Sequence, residues 1–185
     1  MAYYYLMAQL PCLVYEQRPP ISSAEFRALA RSQLSKSDAV LLDSVSINSL
    51  GSKATGCSFI DKWYKWEREL RLNVAKHRSI KLKQTNAQIP EPSDYHMEIA
   101  ATASKAVDEY SPLEGEIIID KARWNAIENL AGSNYFHRSN VYAYMLKLLL
   151  IERRQAFNVE KGFAEYKSLY ASIVESASES RGEFA

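Results

Sequence analysis

Residues 58–83 read SFIDKWYKWERELRLNVAKHRSIKLK, a run without glycine or proline that holds two of the chain's three tryptophans. Phe59, Trp63, Trp66, Leu70, Val74 and His77 recur at intervals of three and four, the spacing of one face of an α-helix. Ser58 is placed to cap that helix, and Asp61 suits the positive end of its dipole. Lys62, Lys65, Arg68, Lys76 and Lys83 fall mostly on other faces. The stretch therefore predicts one long central helix whose aromatic stripe is a packing spine for the elements on either side.

Outward from this spine the pattern stays helical. Upstream, YYYLMAQL (3–10) fits a short helix or a strand: the tyrosines favour strand, LMAQL favours helix, and Pro11 ends it. Ser22 and Glu25 form a capping box, with Ile21 and Phe26 as a hydrophobic staple. A second short helix is expected from Ser37 or Asp38 to about Val45, burying Val40, Leu41 and Leu42. Residues 46–57 read as a loop.

Downstream, residues 84–93 (QTNAQIPEPS) form a polar break. A small-residue helix is expected from about Ser93 to Tyr110. Ser111-Pro112-Leu113-Glu114 is a strong helix start, which places Ile117-Ile118-Ile119 on a helix rather than a strand. Gly132 ends that helix, and Ser139 is placed to cap the next. Residues 141–151 are apolar nearly all round, as for a helix central in a bundle. Asn158 or Gly162 is a candidate break. Beyond it Phe163, Tyr166, Leu169, Tyr170, Ile173 and Val174 continue a helical stripe. The expectation is an all-α fold: an irregular helical bundle with one long central helix. It forms a single helical domain over 1–178, with a candidate subdivision near 84–93 and a disordered tail at 179–185.

Composition narrows the function classes. With 23 Lys and Arg against 22 Asp and Glu, no global field selects nucleic acid or lipid. Cys12 and Cys57 have no ligand spacing and read as reduced thiols of a cytoplasmic protein. No run approaches the roughly 20 apolar residues needed to cross a bilayer. His77, His96 and His137 lie far apart, outside any metal-binding motif, and no phosphate loop or nucleophile elbow is present. The reading is therefore no catalytic, cofactor or metal site. A dispersed enzyme site built from groups such as Tyr64, His77 and Glu98 stands as an alternative. Between Lys62 and Lys83 eight Lys or Arg face Asp61, Glu67 and Glu69. Because the aromatics there belong to the apolar stripe, this run fits a solvated face or an acidic protein partner better than nucleic acid. Glu67 and Arg71 read as an ordinary helix-surface pair.

Three stretches carry a family resemblance: AYYYLMAQLP with RPPISSAEF, then WERELRLNVAKHRSIKL, then LLLIERRQAFNVEKG. Together they resemble an uncharacterised bacterial family encoded beside V/A-type ATPase subunits. More distantly the chain resembles the C (or d) connector subunit of such ATPases, an all-helical protein considerably longer than this one. The resemblance implies a non-catalytic connector, coupling or assembly subunit, cytoplasmic and held at a membrane only through partners. Arg68, Arg71, Lys76, Arg78, Arg153 and Arg154 would then contact acidic surfaces of the stalk or membrane ring. A helical adaptor unrelated to the ATPase is the alternative.

Overall fold

The structure, a computed structural model, describes residues 2–48, 54–84, 88–91, 96–157 and 159–182, with side chains left aside at 159–161 and 175–182. The described residues are all-α. The helices are α1 (Tyr4–Gln9), α2 (Ser23–Arg31), α3 (Lys36–Ser44), α4 (Ser58–Lys81), α5 (Met97–Asp108), α6 (Pro112–Ala131), α7 (Arg138–Gln155) and α8 (Val159–Gly182). Among the described residues the one extended pairing is an isolated bridge between Ala2 and His137. No helix among the described residues is long and apolar enough to cross a membrane.

The chain forms two compact units, Met1–Glu152 and Arg153–Ala185. The boundary between these units falls after Glu152; of the candidate subdivision near 84–93, residues 85–87, 92 and 93 lie outside the described residues. Helix α8 continues to Gly182, into the stretch expected as a tail, and 183–185 lie outside the described residues.

Local chemistry sets most helix starts. At α2 the Ser22 hydroxyl accepts from Glu25 N while the Glu25 carboxylate accepts from Ser22 N, the predicted box. Glu152 adds a bond, accepting from Ser23 N at 2.6 Å. Ser111 caps α6, with Pro112 at its first turn. Helix α4 departs from expectation. Its N-cap is Cys57, which offers no side-chain bond, and Ser58 is already inside the helix. Asp61 turns back instead to accept from Thr55 N and Oγ1, both at 2.8 Å, which ties the incoming loop to the first turn. In α3 the cap is Ser35, so the helix starts one or two residues earlier than predicted. Asp38 and Leu42, four apart, share the buried face, and Val40, about 160° round the helix from each, is exposed, so the expected burial of Val40 is corrected.

The first unit holds two apolar cores. The larger gathers α1, α2, α3, the N-terminal half of α4, the C-terminal half of α6, and α7, around Phe26, Trp63, Ile127, Tyr142 and Leu146. The smaller joins Leu70 and Val74 of α4, Ile99, Ala103, Ala106 and Val107 of α5, and Ile119 of α6. Trp66 touches both, stacked on Trp63 with ring centroids 5.6 Å apart. The aromatic stripe of α4 is thus a spine shared by two cores, as its spacing predicts, although Met97 at the start of α5 is exposed.

Helices α5 and α6 form a tight hairpin. A Cβ on Gly115 would stand 2.6 Å from the Ala106 carbonyl oxygen, a backbone atom that cannot swing away. Alanine is the better helix former, but overpacking dominates here. Gly115→Ala is expected to cost about 1–2 kcal/mol net. Thermal denaturation should show a midpoint a few degrees lower, and an unchanged or raised midpoint would mean that the two helices part freely.

Candidate functional surfaces

Three arrangements in the first unit carry polar chemistry. The first lies where α4 crosses α6. Glu67 follows Trp66 on α4, and Asp120 and Arg123 fall between Ile119 and Trp124 on α6, so the cluster sits at the junction of the two cores. Glu67, Asp120 and Arg123 are all buried. The Arg123 guanidinium donates to both Glu67 oxygens, from Nε at 3.0 Å and Nη2 at 2.8 Å, and Nη1 donates to Asp120 at 2.8 Å. Arg71 Nε donates to Glu67 at 2.7 Å, and its Nη2 reaches Asn48 Oδ1 at 2.9 Å. Burial alone would weaken the charge on Arg123, but the two carboxylates outweigh it and raise the pKa above its ordinary value. The guanidinium is therefore charged throughout the stability range. Its planar fork explains the choice of arginine, because a lysine cannot bond three directions in one plane.

The second arrangement is built on Asp38 of α3. Its carboxylate accepts from the Tyr3 hydroxyl and from the Tyr142 hydroxyl, the latter at 3.0 Å, and Arg138 lies 3.5 Å away. Ser35 completes it: Ser35 N donates to the Tyr3 oxygen, and Asp38 N donates to Ser35 Oγ. Burial pushes the carboxyl up, yet the bonds from Tyr3 and Tyr142, the Arg138 charge and the Ser35 contact together hold it below its ordinary 3.8. The Tyr142 phenol moves the other way, raised by burial and by the carboxylate it serves. This hub ties the N-terminal segment to α3 and α7. Neighbouring tyrosines extend the tie, with Tyr144 donating to Pro11 O at 3.0 Å and Tyr135 to Met7 O at 3.4 Å. Burial raises the Tyr144 phenol to about 12, so it stays a neutral donor.

The third is a surface cleft of about 270 Å³ lined by Met7, Glu128, Ala131, Tyr135, Tyr144 and Lys147, among others. Lys147 Nζ lies 2.9 Å from Glu128 and 4.6 Å over the Trp124 ring, and the Trp124 N–H donates to the same carboxylate oxygen. The volume is below the usual range for small-molecule sites. A smaller cleft of about 150 Å³ includes Trp66, Glu98, Asn125 and Asn129.

Tyr64 and His77 stand 13 positions apart on one straight element, about 20 Å at 1.5 Å per residue, so the dispersed trio with Glu98 does not converge. Ser139 Oγ is 2.9 Å from His137 Nδ1, but that ring nitrogen also accepts from Ser139 N, which makes the pair a local cap of α7. Among the described residues no three His, Cys, Asp or Glu side chains cluster as a metal site would require.

The six cations expected at a partner surface have different fates. Arg68 is exposed. Lys76 is exposed and pairs with Glu91 at 2.8 Å, and Arg78 is exposed with Glu116 at 3.8 Å. Arg71 is drawn into the Glu67 network, so the Glu67–Arg71 pair read as solvated is half internal: Glu67 is buried. Arg153 and Arg154 are half-buried in the last turn of α7, with Arg153 over the Phe157 ring at 5.0 Å. Sequence reasoning missed Asp38, Asp120 and Arg123. For the last two a signal existed, since the helical period from Ile119 through Ile127 puts them against the buried face.

Residues 102–177 match a family described as a protein of unknown function (DUF2764), a match covering less than half of the chain. It begins within α5, takes in all of α6 and α7, and ends within α8. Neither a curated protein nor a solved structure matches the chain.

Proposed function

We propose that this chain is a non-catalytic connector, coupling or assembly subunit that binds acidic protein surfaces of a V/A-type rotary ATPase. The observation that carries the binding mode is a row of exposed cations on α4. Lys62, Lys65, Arg68 and Lys76 fall within an arc of about 120° on the outer side of the helix at 3.6 residues per turn. The aromatic stripe that would let such a helix stack on nucleic acid bases is turned inward, with Trp63 and Leu70 buried. An acidic protein is then the better complement. The existing partner of Lys76 on this arc, Glu91, is itself exposed, and such pairs contribute roughly 0–1 kcal/mol, so it exchanges readily for another carboxylate. The ATPase as partner rests on the three resembling stretches, which include Arg68 and Lys76 of the α4 cation row but not Lys62 or Lys65. The protein would work in the cytoplasm and reach the membrane through its partner.

The test is capture of ATPase subunits by the tagged full chain. Capture should weaken with salt, and Lys62→Glu/Arg68→Glu should reduce it several-fold, mostly through slower association. Absence of ATPase subunits from an otherwise clean capture sinks this reading. Capture of other proteins with the same salt and charge dependence would favour an adaptor role unrelated to the ATPase.

A further inference from the structure

Helix α8, in the second compact unit, carries an apolar stripe in water. Phe163, Tyr166, Leu169, Tyr170, Ile173 and Val174 are each between 50% and 63% exposed. Along the stripe the Tyr166 and Tyr170 rings lie 6.3 Å apart and 25° from parallel, and Lys167 Nζ sits 4.6 Å over Phe163. Phe163, Tyr166, Tyr170 and Ile173 follow one another at intervals of three, four and three, the a/d seam of a coiled coil, and Leu169 and Val174 widen it at the flanking g and e positions.

We propose that α8 pairs in parallel with α8 of a second copy of this chain. Three considerations select that occupant. The stripe offers roughly 600–750 Å² of apolar surface per copy, close to the ~800 Å² per partner of a standard stable interface. A membrane surface is a poorer complement. Residues 159–182 carry four acidic and three basic side chains, whereas helices that lie on anionic lipid have a Lys- and Arg-rich polar face. Finally, the flanks of the seam match best in the parallel sense of a two-fold pair. Parallel alignment sets Leu169 opposite Val174 of the second copy and Gly162 opposite Lys167, so no like charges face each other. Antiparallel alignment would set Lys167 against Val174 and break the apolar flank.

Sedimentation of the purified full chain tests this. A dimer is expected at micromolar concentration, and Tyr166→Glu/Tyr170→Glu should raise its dissociation constant at least about 100-fold, since each copy would place two charges in the seam. Both positions are exposed, so circular dichroism should show the helical content of the first unit unchanged. A chain that stays monomeric, or a dimer indifferent to this variant, overturns the proposal. Orientation is read from Tyr170→Cys in a Cys12→Ser background, Cys57 being buried. Parallel pairing brings the two 170 positions together, and mild oxidation should link them. A dimer that does not cross-link there overturns the parallel arrangement. No ATPase subunit enters these measurements, so they stand or fall separately from the function proposed above.

Discussion

Arg123→Leu is expected to lower the stability of the first unit by about 3–5 kcal/mol, the cost of leaving a buried carboxylate without its counter-charge. For a unit of this size that corresponds to a fall of about 10 °C in the melting temperature. The loss comes from what the leucine leaves behind. Glu67 and Asp120 remain buried and lose the three bonds that Arg123 makes to them, while the bond that Arg71 already makes to Glu67 from a half-exposed position stays. Arg123→Lys should recover only part of the loss, because one ammonium cannot bond both Glu67 oxygens and Asp120 together. The triple change Glu67→Leu/Asp120→Leu/Arg123→Leu should recover most of it, since a well-packed apolar replacement of a buried ion cluster is often neutral or stabilising. Denaturant unfolding of the four proteins decides the matter. If the single variant and the triple variant are equally destabilised, the network contributes through shape alone and the electrostatic account fails. Retention of a costly polar cluster between two apolar cores also has a structural consequence: only one register of α4 on α6 satisfies all its bonds. A variant without it should keep its helices but lose definition at that crossing.

Asp38→Asn is expected to cost about 3 kcal/mol at neutral pH, two charge-assisted hydrogen bonds being weakened together. The amide presents donors to Tyr3, Tyr142 and Arg138, which are themselves donors to the native carboxylate. The dependence on pH fixes the mechanism. The folded-state pKa of Asp38 is lowered, so its charge stabilises the fold above the unfolded value near 3.8, and that stabilisation is lost as pH falls through the lower folded value. The gap in melting temperature between native and Asn proteins should be flat from neutral pH down to about 5 and close below about 4. A gap that persists unchanged into that acid range would show that Asp38 acts by size and not by charge. Limited proteolysis offers a second reading, because the hub fastens the N-terminal segment: the variant should be cut sooner within the first 15 residues.

The helices themselves were legible because their punctuation is local. Ser22 with Glu25, and Ser111 with Pro112, mark helix starts through bonds made within four residues, and those starts stand in the structure. The α4 stripe was legible because a period of three and four allows one buried face. Where a start depended on which of several serines the chain uses, the sequence was ambiguous. Whichever serine caps α3, Asp38 and Leu42 lie on one face and Val40 about 160° away, and the packing around α3 decides that the first face is the buried one. Nothing within α3 announces that a carboxylate should be buried there, because its partners Tyr3 and Tyr142 come from the two ends of the first unit.

The sequence by itself determined an all-α chain, the aromatic spine of α4, the apolar centre in α7, and the apolar stripe on α8, because each is a periodicity read along one helix. Only the tertiary structure decided which charges are internal. Glu67 and Arg71 look like any surface pair four residues apart until α6 brings Arg123 across them. Lys76, five positions beyond Arg71, lies about 140° round the helix from it and stays outside. Burial of a charge is a property of two helices and their angle, and a period along one of them does not encode it.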